Sequence, residues 1–438
     1  MASIDSAAPP QAGAILPARE RRRIFLYLGG LIALATLNNP SGGLLDVPIA
    51  FLLKNRLGWE ASDLAWFRLV ASAPLYVSFL FGLARDNAVA VGFGDRALMA
   101  AFGLVGVVLH VAFAVSPLTA PTLLAATILL TSSALFIVGA QNGLASTLGQ
   151  QHAMSGQVSA AWNLFNTVPA VAAPLLGGYL SGLVGGLGDA AASRVLFLAG
   201  AALSASLVLY AALKPASVFG NVRTEHDAAV TPWADLKRLA RHRPIYPAML
   251  IWLLWNFAPG STTPLQYHLQ DALGATDAQW GAWNAIFAAS FVPTYLLYDV
   301  LCRRHPLKRL LLWGTLLAIG QFTPLLFVQS VGTSLVAAAP IGLMGGLATA
   351  AFLDLIIRSC PPGLQGTTLM LSGGLYFVSA RFGDVLGTVL YERAGGFVLC
   401  VAAITLVYAL ILPVLRWIPD ELVAFADAQA PARSGEVS

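Results

Sequence analysis

Two short stretches combine glycines with charges in a pattern that could work a gate. They read Phe81-Gly82-Leu-Ala-Arg85-Asp86 and then Gly92-Phe-Gly94-Asp95-Arg96. Glycines let helix ends approach closely and turn sharply. An aspartate at a helix end can pair with basic groups of a facing unit in one conformation and lose them in another, which biases a two-state equilibrium. Gly82, Asp86, Gly94 and Arg96 are therefore gating candidates. A partial copy, Tyr298-Asp299-Val-Leu-Cys-Arg303-Arg304, lacks the leading glycine and adds Asp299 and Arg303. The bland alternative is an ordinary turn with solvated charges.

A second group could bind a ligand. Arg381 and Asp384 lie three apart and so share one helix face. Arg381 could hold an anionic group through charge-assisted hydrogen bonds, with Asp384 as its partner or as a proton carrier. Amides recur within the apolar runs at Asn38, Asn39, Asn142, Asn163, Asn166, Asn256 and Asn284, with Gln141 and Gln321 beside them. An amide offers both donor and acceptor to a heterocycle, and Trp255, Trp283 and Tyr376 could stack on one. Amides also tie helices together in lipid. Asp46 and Arg68 read as an outer ion pair, and Asp354 with Arg358 as a local i,i+4 pair.

The elements that carry these residues are set by composition. Of 438 residues, 57% are hydrophobic and 11% charged, and mean hydropathy is +0.73. Soluble chains carry about 25% charged residues, so one water-soluble core is excluded. The apolar runs are about 20 residues long without period-2 alternation, which selects membrane-spanning helices over a barrel. Twelve spans are predicted: 24–53, 63–84, 97–116, 119–147, 157–184, 193–213, 244–268, 279–300, 308–328, 333–357, 366–391 and 395–417. Asn38-Asn39-Pro40 with Gly42-Gly43 marks a break in the first, and Pro259-Gly260 one in the seventh. The expected organisation is a disordered N-terminus (1–23), a six-helix half (24–213), a linker (214–243) whose stretch 232–241 could form a surface helix, a second six-helix half (244–417) and a tail (418–438).

Nineteen of the 25 Lys and Arg fall on the side of the termini, four on the other and two within spans. The positive-inside rule then places both termini in the cytoplasm. The halves repeat. Pro48-Ile-Ala-Phe51-Leu-Leu53, then Leu57-Gly58, recurs as Pro264-Leu-Gln-Tyr267-His-Leu269, then Leu273-Gly274. Ser62-Asp63-Leu-Ala-Trp66 matches Thr276-Asp277-Ala-Gln-Trp280, Asp86 matches Asp299, and Leu176-Gly177 matches Leu386-Gly387. Duplicated halves with a site between them at midplane are a transporter architecture.

With these motifs in a duplicated twelve-span chain, the sequence resembles the major facilitator superfamily. The stretch Pro48-Ile-Ala-Phe-Leu-Leu-Lys54, Leu57-Gly58, Pro74, Phe81-Gly82, Asp86 and Gly94-Asp95-Arg96 is similar to its folate–biopterin transporter branch. Gly383-Asp384-Val-Leu-Gly387 adds weaker support. Asp95-Arg96-Ala97 departs from that branch's arginine run followed by proline. The resemblance implies an all-α membrane fold and import of a folate or pteridine by alternating access, coupled to a proton or another ion. A bacteriochlorophyll- or light-harvesting-assembly branch is the rival.

Three dispersed cysteines form no CxxC pair, and no P-loop or HExxH occurs. The expectation is therefore no enzyme, no cofactor and no metal. Basic residues in loops give no reason to expect nucleic acid, although the pI is near 9.0. The expected partners are a small solute, a coupling ion and the lipids of a bacterial inner membrane, with the protein acting as a monomer.

Overall fold

The computed structural model describes residues 16–59, 61–213, 215–219 and 232–427. Among them the chain is helical and holds no strand. Span 1 comprises helices Ala18–Asn38 and Asp46–Leu57, and span 2 comprises Ala61–Ala71, Ala73–Tyr76 and Ser78–Ala90. Spans 3 to 6 are Asp95–Ala114, Ala120–Gln151, Ser155–Gly185 and Asp189–Ala212. A polar helix, Pro232–Arg241, precedes the second half with the predicted bounds. Span 7 comprises Ile245–Asn256 and Thr263–Tyr267, continued by a wide turn His268–Ala272. Span 8 is Asp277–Arg304, span 9 Leu307–Gly320 with Thr323–Phe327, and span 10 Val331–Ser359. Span 11 is Gln365–Leu390, and span 12 is Gly396–Ala409 extended to Trp417.

Spans 3, 4, 5, 6, 8, 9, 10 and 12 are long and apolar enough to cross a bilayer by length and composition. The other four differ for local reasons. Span 1 opens at Asn39-Pro40, where proline supplies no N–H, the Asn39 side chain accepts from the Ser41 amide at 3.1 Å, and Gly42 takes φ +97°. Span 7 opens at Pro259-Gly260, with Gly260 at φ +107°. Span 2 is interrupted around Pro74 and Val77. Span 11 is continuous but carries Arg381 and Asp384. Irregular backbone at membrane depth must be covered by protein or face a hydrated space.

Close packing covers both breaks. A Cβ on Gly177 of span 5 would sit 2.8 Å from the Leu44 carbonyl of the span 1 break. A Cβ on Gly387 of span 11 would sit 2.4 Å from the Gly260 amide of the span 7 break. The Leu-Gly repeat seen in the sequence is thus a repeated contact, in which a side-chain-free helix face lets a broken helix lie against it.

Two ends of the chain depart from the expected organisation. Helix begins at Ala18 rather than after residue 23, with Pro17 before it and Glu20 in the first turn, where a carboxylate complements the helix dipole. The tail is not all solvated: Asp420–Val423 is helical, and Leu422, Val423, Ala426 and Asp427 are buried. Lys308 at the start of span 9 lies 2.7 Å from Asp420, so the tail returns to the end of the bundle where span 8 finishes. Ala18 and Arg21 share a cavity wall with Asp299 and Arg303 at the same end. Both termini of the described chain therefore lie on one face, the terminal end. The largest apolar cluster joins the halves there, packing Leu144, Leu148 and Val158 with Leu353 and Ile357. A separate cluster around Leu45, Leu53, Leu123 and Phe197 belongs to the first half alone.

Candidate functional site: the interface between the halves

Side-chain hydrogen bonds between the halves cluster toward the terminal end. The Asp86 carboxylate reaches the first turn of span 11. It accepts from the Gly366 amide at 3.1 Å, the Thr367 amide at 2.7 Å and the Thr367 hydroxyl at 2.6 Å. Free N–H groups at a helix N-terminus carry partial positive charge and make a ready anion site. Asp86 is 4% exposed, so water cannot substitute cheaply for these donors.

The expectation that Asp86 meets a basic group of the facing half is corrected here. Its charged partner, Arg85, comes from its own helix at 2.7 Å and is shared with Asp95 of span 3. Glycine makes the contact possible, because a Cβ on Gly82 would lie 2.6 Å from the Gly366 carbonyl. Gly94 is the extended residue before span 3, and Arg96 donates to the Ala211 carbonyl of span 6 at 2.8 Å. These two brace the first half and do not cross to the second.

Further contacts follow the same seam. Ser78 donates to the Met370 carbonyl at 2.7 Å, and Ser159 to the Ala350 carbonyl at 2.7 Å. Gln150 donates to the carbonyls of Ile357 and Cys360. At span 5 a second carboxylate plays the part of Asp86. Asp427, from the tail, accepts from the Gly156 amide at 3.3 Å and the Gln157 amide at 3.0 Å. It also pairs with Arg358 at 2.9 Å. Arg358 holds Asp354 at 2.8 Å, and Asp354 accepts from the Tyr298 hydroxyl at 2.9 Å. The local Asp354–Arg358 pair is thus the centre of a network that fastens the tail. Burial, and then the charge of Asp354, push the Asp427 carboxyl up to about 6 against the opposing pull of Arg358.

Away from the terminal end, the second helix of span 1 packs on spans 2, 4 and 5, and that of span 7 on spans 11 and 12. Each stays within its own half. Asp384 accepts from the Thr263 amide at 2.9 Å and the Thr263 hydroxyl at 2.8 Å, which caps the re-entry of span 7. Asp384 is therefore not paired with Arg381. Arg381 is exposed and has no hydrogen bond or ion pair among the described residues. The expected outer pair is present but loose, with Arg68 and Asp46 at 3.6 Å.

The predicted amides separate into groups. Asn38 accepts from Ser204 of span 6 at 2.9 Å, so it ties helices within one half and turns from the interface. Asn142 joins Trp162 at 3.1 Å and approaches the Met370 sulfur at 3.6 Å, which places it on the seam. Asn166 accepts from Thr36 at 2.9 Å, and Asn163 donates to the Ser159 carbonyl at 2.9 Å. Asn39 is spent on the span 1 turn, while Asn256 and Asn284 donate to carbonyls one turn back in their own helices. Trp255 stacks on Tyr408, and Trp283 lies between Trp280 and Phe287, so both are packed rather than free to stack on a ligand. A cavity of about 340 Å³ lies at the terminal end between spans 1, 5 and 8, and none of the predicted binding residues lines it.

This geometry, of two six-helix halves joined by helix-capping carboxylates at one end, accompanies a family match over residues 26–383. The chain belongs to the Major Facilitator Superfamily. This facilitator also shares its fold with solved transporters. FucP, a facilitator transporter solved in an outward conformation, superposes with TM-score 0.68 at 15% identity over 90% of this chain and 98% of that one. The human organic anion transporter MFSD10 (TETRAN) gives 0.66 at 15% identity over 91% and 100%. A variant of the E. coli fucose:proton symporter FucP gives 0.67 at 14% identity over 90% and 98%. No curated protein matches in sequence. The facilitator is an integral, multi-pass membrane transporter by family and fold.

Sequence reasoning missed Asp427, which lies in what reads as a solvated tail. One signal was available. Gly366-Thr367, which Asp86 caps, stands 210 residues after Gly156-Gln157, the same offset that relates Gly177 to Gly387. The repeat therefore marks the N-terminus of span 5 as a second acceptor-seeking site.

Proposed function

We propose that the protein is a secondary active transporter that moves a small organic solute by alternating access, coupled to a proton or another ion, with both termini in the cytoplasm of a bacterial inner membrane. The observation that carries the mechanism is the Asp86 cap on the first turn of span 11. It joins the halves through groups that separate as a unit when the terminal end opens. In this arrangement the terminal end is the closed one, so the chamber opens toward the opposite side. Closure and opening exchange two sets of contacts of similar free energy, and solute or ion shifts the balance only by binding one state better.

The substrate class proposed is a folate or pteridine. It rests on the sequence stretch from Pro48 to Arg96 and on one chemical feature of span 11: Arg381 is a cation with no counter-ion among the described residues, on a helix at the interface. An unpaired guanidinium in a span is costly and marks a pathway, and it fits a planar heterocycle with an anionic group. Asp384, already holding two donors of span 7, couples that helix break to the same site. Asn142, Asn163 and Asn166 are the amides we assign to the path.

Uptake into proteoliposomes tests this. Labelled folate and a simple pterin should accumulate in response to an imposed ion gradient, and Arg381→Gln should lower apparent affinity about tenfold while the protein stays folded. Unchanged affinity in that variant removes Arg381 from the site. No uptake of either compound, together with loss of light-harvesting complexes on gene deletion, would favour a pigment-assembly role instead.

A further inference from the structure

The cavity at the terminal end is lined neither by Asp86 nor by the Gly366-Thr367 turn that it caps. About 340 Å³ in volume, it is bounded by the start of span 1, the start of span 5 and the end of span 8. Its wall has two characters. Arg21, Arg22 and Arg303 stand at its rim, and Phe25, Leu26, Leu164, Phe165 and Leu296 form its apolar side. Asp299 balances Arg303 as an i,i+4 pair. Arg21 and Arg22 have no ion-pair partner among the described residues.

The apolar wall continues onto the outer surface of the bundle. Leu26 is 58% exposed and Leu296 54%. Leu297 and Val300 are exposed beside the latter on span 8. Exposed leucines on membrane-crossing helices face acyl chains, so the cavity opens sideways into the bilayer at the level where chain meets headgroup. A further feature sits inside. Gln157 lines the cavity, is 2% exposed, and its side-chain carbonyl Oε1 has no hydrogen-bond partner. A buried acceptor without a donor is costly, and its usual explanation is a missing partner.

We infer that this cavity is a binding site for one anionic phospholipid whose headgroup carries a hydroxyl donor, as in phosphatidylglycerol. The phosphate takes the place of a counter-ion for Arg21 and Arg22, whose planar forks suit it. The headgroup hydroxyl donates to Gln157 Oε1. The proximal acyl chain lies along Phe25, Leu26, Leu164 and Leu296. Basic pockets between helices near the membrane surface take lipid headgroups in this way, beyond the diffuse attraction of any juxtamembrane arginine. The lipid would bridge spans 1 and 5 of the first half to span 8 of the second. Gln157 also contacts the tail carboxylate through its own amide N–H, so occupancy and the state of the gate are linked.

Native mass spectrometry of the purified protein, with phosphatidylglycerol titrated against phosphatidylcholine, reads the site directly. The wild type should retain one phosphatidylglycerol at least tenfold more strongly than phosphatidylcholine. The double variant R21Q/R22Q should lose that preference. L164W, which fills the acyl groove and leaves every charge in place, should lose it too, and this separates a built site from diffuse attraction. R416Q, at the terminal end but away from the cavity, should not change it. Inorganic phosphate or glycerol phosphate at millimolar concentration should fail to displace the lipid; displacement by either would assign the rim to a soluble phosphate and overturn the lipid proposal. Equal retention of both lipids by the wild type, or an L164W protein that keeps the preference, would overturn it as well. Melting temperature, measured alongside, confirms that each variant is folded.

Discussion

The two helix N-termini that meet the opposite half are capped by carboxylates of different origin. At span 11 the cap is Asp86, from span 2, set by the glycine-containing motif of the first half. At span 5 the repeat supplies Asp299 at the corresponding place on span 8, yet Asp299 pairs with its neighbour Arg303 and takes no part. The cap comes instead from Asp427 in the tail. The two surroundings differ at the glycine position of the motif. Gly82 stands four before Asp86, and the matching position before Asp299 is Tyr295, buried at 4% exposure. A glycine lets span 2 touch the Gly366 backbone, whereas on span 8 the side chain that lies against Gly156 at the start of span 5 is Cys302. The duplicated acceptor site survived, and the missing carboxylate is supplied from elsewhere.

This comparison implies unequal latches, which can be broken separately. Asp86→Ala should act most strongly. It leaves two amides and the Thr367 hydroxyl without their acceptor in a dry seam, a loss of about 3 kcal/mol. Closure at the terminal end should fall roughly a hundredfold, and turnover in proteoliposomes should drop more than tenfold with little change in substrate affinity. A change confined to affinity would place Asp86 outside the gate. Gly82→Ala should follow, at about 1–3 kcal/mol, because its Cβ collides with backbone that cannot swing away. An unaltered turnover in that variant would mean that the close approach of spans 2 and 11 is dispensable.

Asp427→Ala should cost less, since Arg358 keeps Asp354 as a partner, and a fewfold loss of closure is expected. Its pH dependence has a definite sign. The docked carboxyl titrates near 6 and the free one near 4, so the docked state holds its proton more tightly. The resulting stabilisation is complete below about 4 and is lost as pH rises through about 6. Protease sensitivity of the tail should therefore increase over that interval and then level off. Asp427→Asn should remove the dependence while keeping the tail docked. A wild-type tail that instead tightens as pH rises would contradict the assignment. Asp299→Ala should have the smallest effect, under twofold on turnover, because it breaks a half-exposed local pair. A large effect would restore it to the gate.

Much of this was legible in the chain. Helix class and span order follow from long apolar runs, and the breaks in spans 1 and 7 from proline and glycine at Asn39-Pro40 and Pro259-Gly260. The helix 232–241 follows from an amphipathic basic stretch. The family is written in the Gly82–Asp86 motif. What side chains do across space was less readable. Asn38 and Asn166 look alike in sequence, yet one faces span 6 and the other Thr36 of span 1. Arg381 and Asp384 share a face by spacing, but the backbone of span 7 competes for the carboxylate and wins, because a re-entering helix needs a cap. Asp427 stands far from any motif, and only the repeat offset at Gly156-Gln157 hints that something must meet it.

The most direct test is the distance between spin labels at the terminal ends of spans 2 and 8, placed by Val91→Cys and Arg304→Cys on a background in which the buried Cys302, Cys360 and Cys400 are replaced. Pulsed dipolar spectroscopy in lipid should show one dominant short distance for the parent. A longer population should appear with Asp86→Ala and grow further when Asp427→Ala is added. A single unchanged distance in all three proteins, with transport intact, would contradict a terminal end held shut by these two carboxylates.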